Sequence, residues 1–159
     1  SALFEIRSIA DEINARQHQH RCEVLTLEKT QANAQQALVL NVKEGTSIFH
    51  SVMVHYENEL PVQIEDRCVN AEIVPAYLAQ DYSQTTPHAY LSLIAPLTEG
   101  EHIVEAVRAS AEECALLNIK EHDPCLLIRR KTWSASSIVS HARLLFPGSR
   151  YRLQGRFMS

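Results

Sequence analysis

The stretch Leu40-Asn41-Val42-Lys43-Glu44 returns 77 residues later as Leu117-Asn118-Ile119-Lys120-Glu121. The same shift superposes residues 33–48 on residues 110–125 and aligns the apolar runs on both sides of the motif. Self-similarity at a fixed offset indicates a duplicated structural unit, and two copies are too few for a solenoid. The sequence therefore predicts a fold built from two related halves.

Each copy has the pattern of a strand, a short helix and two further strands. The predicted strands cover residues 22–30, 48–56 and 62–69 in the first copy and 103–107, 126–133 and 138–146 in the second, with helices over 34–40 and 111–117. Short turns join the last two strands of each copy, and hairpin partners are antiparallel. We therefore predict an α+β fold, a mostly antiparallel six-stranded sheet with helices on one face.

The segments outside the two copies carry further helix signals. Apolar residues at helical spacing predict an amphipathic helix over residues 3–17. Between the copies, residues 72–79 and 88–94 are predicted as short helices, the second opened by Thr86-Pro87. No linker divides residues 1–159, so one domain is expected. The chain opens with Ser1-Ala2 and no methionine, and we expect a natural segment before it.

Composition excludes several classes of protein. The 159 residues, of 18.0 kDa, suit one domain. The 15 Lys and Arg against 19 Asp and Glu give a net charge of −4, without the basic excess of a self-sufficient nucleic-acid binder. No apolar run approaches the roughly 18 residues of a membrane span. The four cysteines form no C-x-x-C pair, and no nucleotide-binding or nucleophile motif occurs, so we predict no zinc site and no cofactor.

The charged segment from Gln63 to Arg67 interrupts an apolar hairpin arm. Strand alternation places Gln63, Glu65 and Arg67 on one face. A carboxylate and a guanidinium side by side can bind a small amphoteric ligand, and the facing arm brings His55 near Glu65. The alternatives are a cross-strand surface ion pair for Glu65 and Arg67 and a partly exposed sheet histidine for His55.

Other polar clusters are predicted to be solvated. His18-Gln19-His20 follows a helix and is expected in an exposed loop, and Arg129-Arg130-Lys131 is expected on a solvated strand. Trp133 is expected in the core or an interface. No role is assigned to Glu101, His102 and Glu105.

Four stretches in this order carry a family resemblance: residues 40–48, 59–67, 111–119 and 124–130. Over essentially the whole chain, the sequence resembles the UTRA effector-binding domain of GntR-superfamily repressors of the HutC type. The resemblance implies a chorismate-lyase-like fold, a cytoplasmic homodimer and no enzymatic activity. It also implies a winged helix-turn-helix domain before Ser1, through which alone the protein would contact operator DNA.

Within that family, the chain most resembles the branch that responds to histidine breakdown, whose inducer is urocanate. The stretches that carry this resemblance are residues 64–67, 97–102 and 146–150. In sugar-sensing relatives, two pocket arginines fall on Met53 and His55, a glutamate on Glu65, and a glutamate and a tyrosine on Ser140 and Phe146. Because Glu65 alone is retained, the phosphate clamp is lost, and a smaller, flatter and more apolar ligand is favoured beside Met53 and Phe146.

The resemblance leads to a specific hypothesis for the site. Glu65 accepts a hydrogen bond from the imidazole of urocanate, and Arg67 or His55 binds its carboxylate. Phe146 covers the planar ligand, and hydroxyl groups come from Tyr90 and Ser140. The predicted helix over residues 3–17 is the lever toward the DNA-binding domain.

Three alternatives stay open from the sequence. The first is a chorismate-lyase-like enzyme acting on a small aromatic acid, and the second is a sugar-phosphate sensor. The third is a dimerisation module with an unused pocket.

Overall fold

The computed structural model describes residues 3–159, and within them six strands form one sheet; Ser1 and Ala2, on which the expectation of an earlier segment rests, lie outside that range. The strands are β1 (His20–Gln31), β2 (Ser47–Glu57), β3 (Leu60–Val69), β4 (Glu99–Arg108), β5 (Pro124–Ser134) and β6 (Ser137–Pro147). The helices are α1 (Ile9–Ala15), α2 (Ala34–Leu40), α3 (Pro87–Ile94) and α4 (Ala111–Leu117), with a 3-10 turn at Tyr77–Ala79.

The strand order is β1-β2-β3-β6-β5-β4, and every neighbouring pair is antiparallel. The predicted α+β class and six-stranded antiparallel sheet are confirmed. Each half contributes three adjacent strands, so that β3 and β6 meet at the centre of the sheet while β1 and β4 form its edges.

The duplication is visible in the strand register. The cross-strand pair Thr26–Val52 of the first half recurs 77 residues later as the pair Ile103–Arg129. The pair Met53–Glu65 likewise recurs as Arg130–Ala142. At the junction of the halves, Asp66 of β3 pairs with Arg143 of β6, its own equivalent at the same offset. The two halves are thus related by an approximate two-fold axis through this pair.

The repeated motif encodes the ends of the repeat helices. Asn33 and Ser110 are the N-cap residues of α2 and α4, and the side chain of each accepts a hydrogen bond from the backbone N–H of the residue three positions later. The side chain of that later residue in turn accepts a hydrogen bond from the backbone N–H of the N-cap residue. The helices end at Asn41 and Asn118, with φ of 54° and 53°, a left-handed conformation that asparagine tolerates better than most residues. The leucine before each asparagine is buried.

Helices lie on both faces of the sheet, a difference from the predicted single face. The repeat helices α2 and α4 share one face, where they pack on side chains such as Ile48 and Ile64. The opposite face carries α1, α3 and the 3-10 turn, packed on side chains such as Met53 and Leu144. The physical reason is that the central strands are buried on both faces and need cover on each.

The predicted helix over residues 3–17 is shorter in the structure. It begins at Ile9, because the Ser8 side chain accepts a hydrogen bond from the backbone N–H of Ala10 and caps the helix there. Residues 5–8 are irregular, and Ile6 packs closely over Gly100 of the edge strand β4. Ile6 therefore serves tertiary packing and not a helix face.

The two helices predicted between the copies have different outcomes. The helix over residues 88–94 is confirmed as α3, with Thr86 as its cap and Pro87 in its first turn. Residues 72–79 form turns and the single 3-10 turn, because Pro75 lacks the N–H that a continuing helix needs. Among the described residues, no helix has the length and hydropathy of a membrane span.

Candidate ligand-binding site

The buried carboxylate of Glu65 on β3 lies between the imidazole of His55 on β2 and the guanidinium of Arg67 on β3. Nε2 of His55 lies 2.9 Å from Oε1 of Glu65, and Nε of Arg67 donates to Oε2 at 2.8 Å. These residues are 0, 3 and 2% exposed, respectively, so the alternatives of a surface ion pair and a partly exposed histidine are wrong. The sequence-based prediction that His55 lies beside Glu65 is confirmed.

Hydrogen bonds extend this group across five strands. On one side, Nε2 of His20 lies 2.8 Å from Nδ1 of His55, with the two rings stacked. On the other side, Arg67 donates from Nη1 to the hydroxyl of Ser140 at 2.9 Å, and that hydroxyl lies 2.9 Å from the hydroxyl of Thr132. A connected line of polar side chains therefore holds the Glu65 carboxylate and the Arg67 guanidinium in place.

Electrostatics keep Glu65 and Arg67 charged inside the protein. Burial by itself raises the pKa of the Glu65 carboxyl, but the charge of Arg67 and the hydrogen bond from His55 outweigh burial and hold that pKa well below its usual range. Burial lowers the pKa of Arg67, and Glu65 more than compensates, so that the pKa is raised. Because the ionised carboxylate can only accept, Nε2 of His55 donates to it.

The charged pair lines a small cavity under a cover of three segments. Arg130 of β5 lies on the same sheet face, and the cover includes Glu12 of α1, His88 of α3 and Tyr151 after β6. The cavity, which is partly open to solvent, has a volume of about 10 Å³, room for about one water molecule. A ligand of several heavy atoms must therefore displace part of the cover.

A contact between two helix caps closes one side of this cover. The hydroxyls of Ser8 and Thr86 lie 2.9 Å apart and are buried. Ser8 caps α1 and Thr86 caps α3, so this single bond connects the first turns of both covering helices. Movement of α1 away from the cavity must break it.

Arg130 is a second buried cation, which corrects the expectation of a solvated strand. It is 7% exposed, and its Nε donates to Nε2 of His102 at 2.9 Å. Burial and the nearby charge of Arg67 lower the pKa of Arg130 to about 10, so the guanidinium is charged at neutral pH. Its neighbour Arg129 points to the other face and donates to Glu105 at 2.7 Å, because successive side chains alternate along a strand.

Residues 15–152 match the family described as the UTRA domain. The chain belongs to the UTRA-domain family. It is 79% identical over 159 residues to the histidine utilization repressor of Klebsiella aerogenes, covering all of this chain and 66% of the relative. It is 60% identical to the protein of that name from Pseudomonas aeruginosa, strain PAO1, again over this whole chain and over 64% of the relative. The chain thus spans slightly less than two thirds of these relatives.

Solved structures agree with this UTRA-domain assignment. The C-terminal domain of the histidine utilization repressor from Pseudomonas syringae pv. tomato superposes with a TM-score of 0.85 at 56% identity, covering 89% of this chain and all of that one. PhnF from Mycobacterium smegmatis, at 17% identity and a TM-score of 0.90, covers 100% of this chain and 71% of that one and shows the shared fold. The Klebsiella and the two Pseudomonas proteins are named as histidine utilization repressors, which places the chain among regulator domains and not among enzymes.

The structure brings four of the seven predicted site residues of this UTRA domain into one network. Glu65 and Arg67 line the cavity, while His55 and Ser140 bond to them from behind. The other three lie apart. Met53 and Tyr90 pack in or against the apolar cluster under α3, and Phe146 packs under the ring of Tyr151, with centroids 3.6 Å apart.

Sequence reasoning missed five titratable residues that line the cavity: Arg7, Glu12, His88, Arg130 and Tyr151. Burial and the charges of Arg67 and Arg130 lower the pKa of His88 to about 4, so it is neutral at neutral pH. Strand alternation could have separated Arg130 from its neighbours. No local signal marks Glu12, His88 and Tyr151, because they reach the cavity from segments outside the repeats.

The expected exposed loop at residues 18–20 is correct in part. His18 is exposed and bonds to Glu57. His20 instead begins β1 and contacts His55, and burial, together with His55, lowers the pKa of His20 to about 4. Among residues 3–159, no group of three His, Cys, Asp or Glu side chains is arranged to hold a metal ion.

Proposed function

We propose that this UTRA domain is the effector-binding domain of a transcriptional repressor of histidine utilisation, and that its cavity binds urocanate or a related metabolite of that pathway. The observation that carries the proposal is the buried set of charges formed by Glu65, Arg67 and Arg130 around one cavity. The 79% identity to a protein named histidine utilization repressor supports the choice of pathway.

The charges around the cavity fit a small ligand that carries both a carboxylate and a hydrogen-bond donor. The buried charges that line it are two guanidiniums and two carboxylates, those of Arg67, Arg130, Glu12 and Glu65, whereas Arg7 at the rim is exposed and lies 3.5 Å from Glu5. Urocanate has one carboxylate, a planar conjugated chain and an imidazole N–H. Its carboxylate matches the guanidinium groups, and its N–H matches a carboxylate that is already ionised.

Individual roles follow from the positions of the side chains. Glu65 accepts the hydrogen bond from the imidazole of the ligand, since each of its oxygens uses one lone pair within the network and keeps another. Arg67 contributes positive charge beside it, and His55 orients the Glu65 carboxylate from behind. Tyr151, stacked on Phe146, lies where the planar ligand needs an apolar cover.

Calorimetry of urocanate with this chain tests the proposal. Glu65→Gln and Arg67→Ala are each expected to weaken binding by at least about tenfold, because hydrogen bonds to charged groups contribute roughly 1.5–3 kcal/mol. Asp66→Asn is the matched control, since Asp66 lies between them in sequence but bonds to His50 on the opposite face. Unchanged affinity in both site variants, with folding verified by thermal unfolding, would remove these residues from the site.

The same titration separates the alternative ligands. A sugar phosphate that binds more tightly than urocanate would favour the sugar-phosphate sensor, and consumption of chorismate would favour the lyase. We do not expect tighter sugar-phosphate binding, because Met53 and His55 stand where the sugar-sensing relatives carry arginines.

The wider assignment concerns the intact regulator. Operator DNA is contacted by a domain that precedes this one, and the protein acts as a homodimer in the cytoplasm. The α1 helix covers the cavity and is the first helix of the described residues, and its displacement would connect effector binding to operator binding. Gel-shift titration of the full-length protein with and without urocanate tests this coupling.

A further inference from the structure

We propose that Arg130 is the residue that binds the carboxylate of the effector and that His102 positions its guanidinium. This inference rests on the proposed function and deepens it, because it specifies the ligand class as a monocarboxylate and assigns a residue to that group. Three observations on Arg130 support it: its hydrogen-bond partner, the orientation of that partner, and its place in the duplicated sheet.

The first observation is the contrast between the two buried arginines. Arg67 donates to the carboxylate of Glu65 on its own strand, at 2.8 Å. Arg130 donates from Nε to an imidazole nitrogen of His102, which is uncharged when it accepts. Tyr151, Glu65 and Glu12 favour the charged form of Arg130, yet the lowered pKa of Arg130 indicates that burial and repulsion by Arg67 are not fully offset. A ligand carboxylate that binds beside Arg130 would offset both the burial cost and the repulsion by Arg67.

The second observation is that His102 is held in one orientation. Its Nδ1 lies 3.0 Å from the backbone carbonyl of Leu3, which can only accept, so Nδ1 carries the proton. Nε2 then has the lone pair that accepts from Nε of Arg130. Burial and the charge of Arg130 lower the pKa of His102, which keeps the ring neutral and this pattern intact. The guanidinium is thereby fixed through Nε, and its two Nη groups provide the pair of donors that matches a carboxylate.

The third observation comes from the repeat. Arg130 corresponds to Met53 of the first half, which is fully buried in the apolar core. The scaffold therefore accepts an apolar side chain at this position and does not require a cation for folding. A buried guanidinium carries a desolvation cost that methionine avoids. Its presence in one half is accounted for by a ligand that bears the opposite charge.

The test compares urocanate with its uncharged carboxamide by calorimetry. In Arg130→Met, which copies the first half, urocanate is expected to bind roughly 30- to 100-fold more weakly while the carboxamide is unaffected. The preference for the acid over the amide then falls to near one. Arg129→Met removes the same charge from the opposite face and is expected to keep the preference of the unaltered chain.

The outcomes separate the two proposals. Absence of urocanate binding by the unaltered chain would overturn both the proposed function and the role of Arg130. Binding with an unchanged acid-to-amide preference in Arg130→Met would overturn the role of Arg130 alone. If that variant fails to fold, Arg130→Lys keeps the charge and removes the paired donors, and an approximately tenfold loss for the acid alone is expected. An equal loss for both ligands in Arg130→Lys would contradict the assignment.

His102 is tested as a positioning residue. His102→Ala is expected to weaken urocanate binding roughly tenfold with little effect on the carboxamide. His102→Gln presents an amide oxygen to Arg130 and an N–H group to the Leu3 carbonyl, so it is expected to restore most of the preference for the acid. Equal weakening of both ligands in His102→Ala, without recovery in His102→Gln, would show a merely structural role and overturn the positioning assignment.

Discussion

The first and second halves of the sheet share their register and helix caps but differ in the side chains that they point toward the cavity. Glu65 and Arg67 of β3 correspond to Ala142 and Leu144 of β6. The first half therefore carries a buried ion pair where the second half carries an apolar surface. At Arg130, the difference is reversed, and the second half carries the charge.

This difference separates the scaffold from the site. The repeated segments build the sheet and the helices of one face, where equivalent residues perform equivalent structural tasks. The cavity arises on the other face, where point differences between the halves place charges and where the cover comes from segments outside the repeats. Substitutions in the caps should consequently act alike in both halves, while those around the cavity should act differently.

The largest expected effect is on the ion pair of the first half. Arg67→Ala leaves the carboxylate of Glu65 buried without its guanidinium and is expected to lower the free energy of unfolding by about 3–5 kcal/mol. Combining Arg67→Ala with Glu65→Gln removes the uncompensated buried charge and should recover part of that loss of stability. Chemical denaturation of both single variants and the double variant measures the coupling, and simple additivity would show that the two charges do not depend on each other.

The next effect is the pH dependence of the free energy of unfolding, for which one histidine of the cavity cover is compared with one histidine of the sheet. Burial is the main cause that lowers the pKa to about 4 both in His88, above the cavity, and in His141, on β6. The unfolded chain binds these protons near pH 6.5, so stability is complete above that pH and falls as the pH drops toward 4. Each histidine contributes a slope of up to about 1.4 kcal/mol per pH unit.

His88→Gln and His141→Gln should each flatten that slope when the free energy of unfolding is measured between pH 6.5 and 4. Retention of the full slope in either variant would show that its imidazole takes up a proton in the folded protein as readily as in the unfolded chain.

A smaller effect tests the equivalence of the caps. Asn33→Ala and Ser110→Ala each remove the side-chain oxygen that begins a repeat helix, and each is expected to lower the free energy of unfolding by about 1 kcal/mol. The exchanges Asn33→Ser and Ser110→Asn keep a capping oxygen and should be nearly neutral. Thermal or urea unfolding measures all four, and a markedly unequal loss in the two alanine variants would break the equivalence of the halves.

The smallest effect concerns the single-copy cover. Glu12 of α1 lines the cavity with a charge of the same sign as the proposed ligand carboxylate, and Glu12→Gln is expected to strengthen urocanate binding by about two- to fivefold. Glu44→Gln changes the net charge equally at an exposed position and should leave affinity unchanged. Weaker binding in Glu12→Gln would instead assign Glu12 to ligand contact.

Predictions that depend on neighbouring residues in the chain agree best with the structure. His55 and Glu65 belong to one hairpin, whose short turn places His55 opposite Gln63 and thus diagonally next to Glu65 on the same face, so their contact follows from the sequence. The burial of Arg130 does not follow from the sequence, because strand alternation assigns side chains to two faces but does not show which side chains the distant segments cover. The start of α1 shows the same limit, since Ile6 packs on Gly100, 94 positions further along the chain.

The amino-acid sequence by itself determined the duplicated α+β scaffold, the caps of α2 and α4, and the side-by-side placement of Glu65 and Arg67, because each depends on periodicity or on contacts within a few residues. The tertiary structure decided the cavity. Whether a charged side chain is buried depends on which distant segment covers it, and Arg130 meets His102, Glu12 and Tyr151 only after β5, β4, α1 and the segment after β6 have packed together.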